Sequence, residues 1–276
     1  MENRLTGQTD RCQTKYPIVL VHGIGYTDEE NPHYWGWVPD ALRRCGAEVY
    51  FGEQDSYSSV TVNAQQLKER ILQILQETGA EKVNLIAHSK GGIDARYMIS
   101  CLDMADRVAS LTTVATPHRG LGAIDTLKEK APAVLRQFYG LFAMMVRQDG
   151  GGKPETLDIF DQFSEDYMTV FNEMVPDAPG VYYQSWACDM KQRSTDPPLG
   201  IFHSVIGKMQ GPNDGFVPVT SAAWGEFRGI CLGADGEGIS HPMACGGRAK
   251  WMEKKGREDL SSWYVDMVSE LRQMGY

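Results

Sequence analysis

The tightest constraint on the fold is the run Ala87-His88-Ser89-Lys90-Gly91-Gly92. An apolar stretch, Lys82–Ala87 (KVNLIA), enters it, and a helix-patterned stretch, Gly92–Leu102, leaves it. Small residues two before and two after a serine suit a strained strand-to-helix turn, where the backbone doubles back on itself. The usual pattern is G-x-S-x-G, so Ala87 makes this run a variant. A serine that merely caps the helix is the alternative. A cap needs no small residues on both sides, and the turn is therefore the better reading.

The surrounding pattern agrees with that turn. Pro17–Val21 (PIVLV) and Ala47–Phe51 (AEVYF) read as short strands, and Ala109–Ala115 (ASLTTVA) as a further one. Val62–Glu77 carries Leu67, Ile71, Ile74 and Leu75 on one helical face, and Gly79 stops it. Strand, helix, strand, helix, strand is the order of a doubly wound, mostly parallel sheet flanked by helices. Val181–Ala187 and His203–Gly207 (HSVIG) read as late strands, and Asp259–Met274 as a closing amphipathic helix through Leu260, Trp263, Tyr264, Met267, Val268 and Leu271. From about 120 to 176 the rhythm breaks into helical patterning, with an apolar stripe of Leu135, Phe138, Leu141, Phe142 and Met145 followed by Gly150-Gly151-Gly152. This insert is either packed on the body or a mobile lid. One α/β domain spanning 1–276 accommodates all of it.

In such a turn Ser89 is a nucleophile candidate, and the helix N-terminus favours negative charge developing beside it. The Lys90 backbone N–H is the first expected donor to an oxyanion, with the Lys90 side chain on the surface or in a salt bridge. A second donor should come from the loop after an earlier strand. His22-Gly23-Ile24-Gly25 follows PIVLV, and Ile24 would present its N–H there. In an α/β-hydrolase the triad follows the chain order serine, acid, histidine, leaving His118, His203 and His241 as bases. His118 precedes any plausible acid loop and His203 begins a predicted strand. His241, in a loop after Gly238, is preferred. Asp214, in Asn213-Asp214-Gly215-Phe216-Val217-Pro218, is the acid expected after the HSVIG strand. Asp235 is the runner-up, with a strong alternative as a turn former in GADGEG.

Composition removes other classes. A net charge of -9 with no basic run longer than a pair such as Lys254-Lys255 gives nucleic acid no concentrated positive face to bind. The same acidity offers no pull toward anionic headgroups, so transient contact with a lipid interface would need apolar surface. No transmembrane segment is expected, and the first sixteen residues are polar, without the apolar stretch of a signal peptide. The chain is expected to be soluble, cytoplasmic or secreted after loss of a leader. Six cysteines without CxxC spacing argue against zinc and read as free buried thiols, although an even count permits disulfides in an exported protein. No metal or cofactor is expected.

Taken together, YPIVLVHGIG, VNLIAHSKGGIDARY, VATPHRG, GVYYQSW and NDGFVPVTSA resemble the bacterial triacylglycerol lipases of the Pseudomonas and Burkholderia type. The resemblance implies the α/β-hydrolase fold, with Ser89, Asp214 and His241 at triad positions and Ile24 and Lys90 at oxyanion positions. It also implies a helical lid between Gly120 and Pro176, export, and long-chain acylglycerols as substrates. The family's structural calcium uses an aspartate shortly after the histidine, where this chain has Pro242-Met243-Ala244; Asp196 would be a lone remnant. Tyr26, Tyr34, Trp35 and Trp37, with the Met144-Met145 pair, are candidates to line an apolar acyl pocket, core packing being the alternative. Tyr26, Trp35, Met144 and Met145 are the chosen substrate contacts. The expected activity is a carboxylic ester hydrolase, lipase or esterase. A thioesterase, acyltransferase or phospholipase on the same triad, or a non-catalytic binding protein on that scaffold, are the alternatives.

Overall fold

Alternate residues of β1 (Ile18–Val21) are buried on opposite faces of a sheet, because side chains along a strand alternate in direction. Ile18 and Leu20 join one core cluster, and Val19 and Val21 another. The structure, a computed structural model, describes residues 10–25, 28, 34–55, 57–133, 135–136, 139–140, 158–256 and 258–276. After β1 come α1 (Val38–Arg44), β2 (Val49–Phe51), α2 (Val60–Thr78), β3 (Val83–His88), α3 (Lys90–Cys101) and β4 (Val108–Val114). The insert contributes α4 (Gly122–Lys130) and α5 (Glu165–Met174). Next follow β5 (Tyr182–Cys188), α6 (Gly200–Gln210), α7 (Val219–Ala222) and β6 (Glu226–Cys231). The chain closes with α8 (His241–Ala244), α9 (Ala249–Lys254) and α10 (Ser261–Gln273).

The strands lie in the order β2-β1-β3-β4-β5-β6, every pair parallel. β1, β3 and β4 are buried along their whole length, as apolar strands covered on both faces must be. α1 and α10 cover one face through Leu42, Tyr264 and Val268, with Trp35 from the turn before α1. α2 and α3 cover the other through Leu67, Ile71, Ala95 and Met98. Local chemistry sets the ends of α2: the Ser59 hydroxyl accepts from the Val62 N–H, and Gly79 closes the helix in the left-handed region at φ 71°. The strand order reverses between β1 and β3, and ligands of open parallel sheets bind beyond the strand C-termini at that point.

Two expectations need correction. His203–Gly207 is not a strand but the middle of α6. Its β-branched Val205 and Ile206 suggest a strand, yet Leu199, Phe202 and Ile206 are buried at helical spacing. His241 lies not in a loop but at the start of the short helix α8. The sixth strand, β6, has no clear sequence signal. As an edge strand it exposes Phe227 and Ile230 and carries Glu226 and Arg228.

Candidate active site

At the reversal point the chain leaves β3 through Ser89, whose φ of 56° and ψ of -131° lie in a strained region for a residue with a Cβ. Three contacts hold it there. The Ser89 N–H donates to Val114 O (3.0 Å), while its carbonyl accepts from the Thr116 hydroxyl (2.8 Å) and the Gly92 N–H (3.1 Å). The small neighbours have separate reasons. A Cβ on Gly91 would strike the His22 carbonyl oxygen and lie 2.7 Å from that of Val21. One on Gly92 would strike the Thr116 side chain. Ala87, by contrast, sits in regular strand paired with Val21 and Thr113, its methyl buried in the core, so glycine is not required there.

The loop after β1 closes over this turn. A Cβ on Gly23 would lie 2.8 Å from the Ser89 Cβ and 2.9 Å from the Tyr34 hydroxyl, an approach only glycine permits. His22 orders the loop, its Nδ1 2.7 Å from Gly23 O and its Nε2 2.9 Å from Gln54 O. Among the described residues, the backbone N–H groups of Ile24 and Lys90 meet no hydrogen-bond acceptor.

Asp214 and His241 arrive from far along the chain. His241 Nε2 lies 2.9 Å from Ser89 Oγ, and His241 Nδ1 lies 2.7 Å from Asp214 Oδ2. The other Asp214 oxygen accepts from the Phe216 and Val217 N–H groups at 2.9 and 2.7 Å. The His241 N–H donates to Asp214 O at 2.9 Å, tying the two segments by backbone as well. Asp214 is fully buried, and Ser89 and His241 are nearly so. Phe216 sets its ring edge-on to the His241 imidazole, centroids 5.3 Å apart.

Among the described residues, neither competing histidine is hydrogen-bonded to Ser89. His118 stacks on Trp224 and lies 2.9 Å from the Thr113 hydroxyl and 3.4 Å from Arg96 Nη1; burial, then Arg96 and Arg119, hold it well below the ordinary histidine value. His203 sits on α6 and accepts from the Asn213 side-chain amide through its carbonyl. Asp235 lies in a short turn, Ala234–Gly236. The Lys90 side chain is salt-bridged, and buried: its ammonium reaches both Asp94 oxygens, at 2.7 and 2.9 Å. Burial lowers the lysine and raises the aspartate, each opposed by its partner.

Of the predicted substrate contacts, Tyr26, Met144 and Met145 lie outside the described residues. Trp35 is 1% exposed and packs edge-on against Tyr264 and His88, so it is a core residue and not a substrate contact. An indole in this sequence context suits either role, and only its position beneath α10 decides. An apolar cluster does meet the site, formed by Ile24, Phe216 and Val217 with Leu121, Phe160 and Phe202. Sequence reasoning did not single out His88, whose ring lies 4.6 Å from that of His241, nor Arg96. The only signal for His88 is its adjacency to Ser89.

The cysteines are free, five buried and Cys101 exposed. The family resemblance implies a structural calcium. Asp196 instead accepts from Ser240 Oγ at 2.8 Å, with Arg248 Nε 3.7 Å away. A neighbouring guanidinium opposes a divalent cation, and no group of three or more suitable ligands occurs among the described residues. These residues do not fit calcium. Among the described residues no helix is long and apolar enough to cross a membrane.

A parallel sheet whose reversal point carries a strained serine within reach of a histidine is the arrangement of the α/β-hydrolases. The family model described as palmitoyl protein thioesterase matches residues 17–175. Triacylglycerol lipase 2 of Saccharomyces cerevisiae is 33% identical over 241 residues, 85% of this chain and 67% of the yeast protein. A triacylglycerol lipase of Vibrio cholerae is 31% identical over 243 residues, 79% of this chain and 77% of that one. The mature Bacillus licheniformis lipase BlEst2 superposes with a TM-score of 0.65 at 21% identity, covering 88% of this chain and 92% of that one, a likeness of fold. The chain belongs to the lipase family of α/β-hydrolases, within the range of the palmitoyl protein thioesterase model. Its activity is that of a carboxylic ester hydrolase of the lipase and esterase kind.

Proposed function

We propose that Ser89, His241 and Asp214 carry out acyl transfer to water from apolar acyl esters, triacylglycerols among them. The observation that carries this reading is the unbroken line from Ser89 Oγ through His241 to Asp214 at 2.9 and 2.7 Å. Ser89 Oγ attacks the acyl carbonyl while His241 Nε2 takes its proton, and Asp214 holds the Nδ1–H and balances the imidazolium charge. The Ile24 and Lys90 N–H groups, lacking other acceptors among the described residues, receive the oxyanion. Collapse of the tetrahedral intermediate expels the alcohol, which leaves with the proton from His241. Water then gives its proton to His241 and attacks the acyl-enzyme, releasing the acid and restoring Ser89.

The apolar cluster of Ile24, Phe216 and Phe202 suits an acyl chain, and its contacts with Leu121 and Phe160 support the insert at about 120–176 as a lid. Contact with lipid is transient and made through apolar surface. The description of the matching family favours one further reading, a long-chain thioester as substrate. The triad chemistry is the same, with a thiol as leaving group.

The test uses a fluorophosphonate probe and a series of acyl esters and thioesters of increasing chain length. Wild type should be labelled at Ser89 and hydrolyse chains longer than acetyl, while Ser89→Ala should do neither. Hydrolysis of acetyl esters alone would remove the apolar-acyl claim. Labelling that persists in Ser89→Ala would remove the nucleophile.

A further inference from the structure

We propose that Tyr34 and His88 form a positioning pair that sets the oxyanion loop against Ser89. The inference rests on the acyl-transfer reading of the site. The Gly23 N–H donates to Tyr34 Oη at 2.8 Å, and the same oxygen lies 2.6 Å from His88 Nδ1. Tyr34 is 4% exposed and His88 2%, so neither bond is shared with bulk water. His88 immediately precedes Ser89. One phenol oxygen therefore joins the loop after β1 to the backbone that carries the nucleophile.

The phenol oxygen accepts from the Gly23 N–H and shares a second hydrogen bond with His88 Nδ1, whose direction is set by the imidazole tautomer. Burial first, and the neighbouring His241 second, keep His88 well below the ordinary histidine value. Its Nε2 meets no partner at hydrogen-bond distance, although the His241 main chain lies near enough to act on it. The ring itself packs against His241 at 4.6 Å, tilted by 43°.

The loop needs such a tether. Gly23 is the residue before Ile24, and a glycine turns freely unless its peptide is held. A donor aimed at a developing oxyanion works only when its orientation is set before the reaction. Anchoring the Gly23 N–H fixes the peptide plane next to the Ile24 N–H, and anchoring it through His88 refers that plane to Ser89. A pair that only filled space would do neither.

Tyr34→Phe keeps the ring and removes only the hydroxyl. In the purified full chain it should lower kcat about tenfold or more, leave KM within about twofold, and weaken a tetrahedral boronic acid inhibitor in step with kcat. His88→Leu should do the same. His88→Asn, whose side-chain amide can either donate to Tyr34 or accept from it near the place of Nδ1, should recover most of the loss. Unchanged kcat and boronate affinity in Y34F overturn the pair, as does a rise in KM alone. Should Y34F fail to fold, equal boronate affinity in H88N and H88L overturns it. A wild type that hydrolyses no acyl ester and takes no fluorophosphonate removes the acyl-transfer reading and the pair with it. An active wild type with an indifferent Y34F removes the pair alone.

Discussion

The two sides of the Ser89 turn differ in what they tolerate, and the difference is steric. Gly91 faces the backbone carbonyls of Val21 and His22, which belong to β1 and its exit and cannot move without breaking the sheet. Gly91→Ala should therefore cost about 3 kcal/mol or more, or prevent folding altogether. Ala87→Gly on the opposite side loses only a buried methyl and some chain entropy, about 1 kcal/mol. Denaturant unfolding of the two variants checks this, and equal losses would contradict it. The pattern of small residues is legible in the sequence; which of them are obligatory is not, because the colliding carbonyls belong to a strand about seventy residues earlier.

Among the elements, α3 is tied to the insert by Arg96. Its guanidinium lies 3.7 Å over the Trp224 ring, donates to Asn172 Oδ1 (2.8 Å) and Val175 O (3.0 Å), and is lowered to about 10 by burial. At neutral pH it stays charged, a cation held by an aromatic face and carbonyl oxygens. Arg96→Met should cost about 2–4 kcal/mol, since two acceptors lose charged donors. Amide exchange in 165–174 should rise more than in α2. Exchange that stays unchanged in α5 would sever this link. The buried strands β1, β3 and β4 were readable as apolar runs bounded by turn residues. α6 was not, because Val205-Ile206 imitates a strand in a short window. β6 was not, because an edge strand needs no continuous apolar run.

For the whole molecule, two buried neutral histidines set the acid limit. His88 and His118 are both depressed well below 6.5 by burial. In the unfolded chain they take up protons near the ordinary value, so the unfolded state binds more protons as pH falls below about 6.5. Stability present above that pH is lost below it, by up to about 1.4 kcal/mol per pH unit for each histidine. The thermal midpoint should be level from about pH 8 to 7 and fall toward about 5.5, and His118→Asn should roughly halve the slope. A midpoint level across the whole interval would contradict the neutral buried state.

By itself the sequence determined what short-range physics dictates: the alternation of buried strands and amphipathic helices, and a serine turn that only small neighbours allow. It also supplied the chain order that pointed to Asp214 and His241. Tertiary structure alone decided which histidine meets Ser89 across 152 residues. It also turned Trp35 into core and joined Gly23, Tyr34 and His88 through one hydroxyl. Contacts of that kind depend on how whole elements pack. A window of sequence records propensity and spacing, but not which distant atoms those elements bring within hydrogen-bond reach.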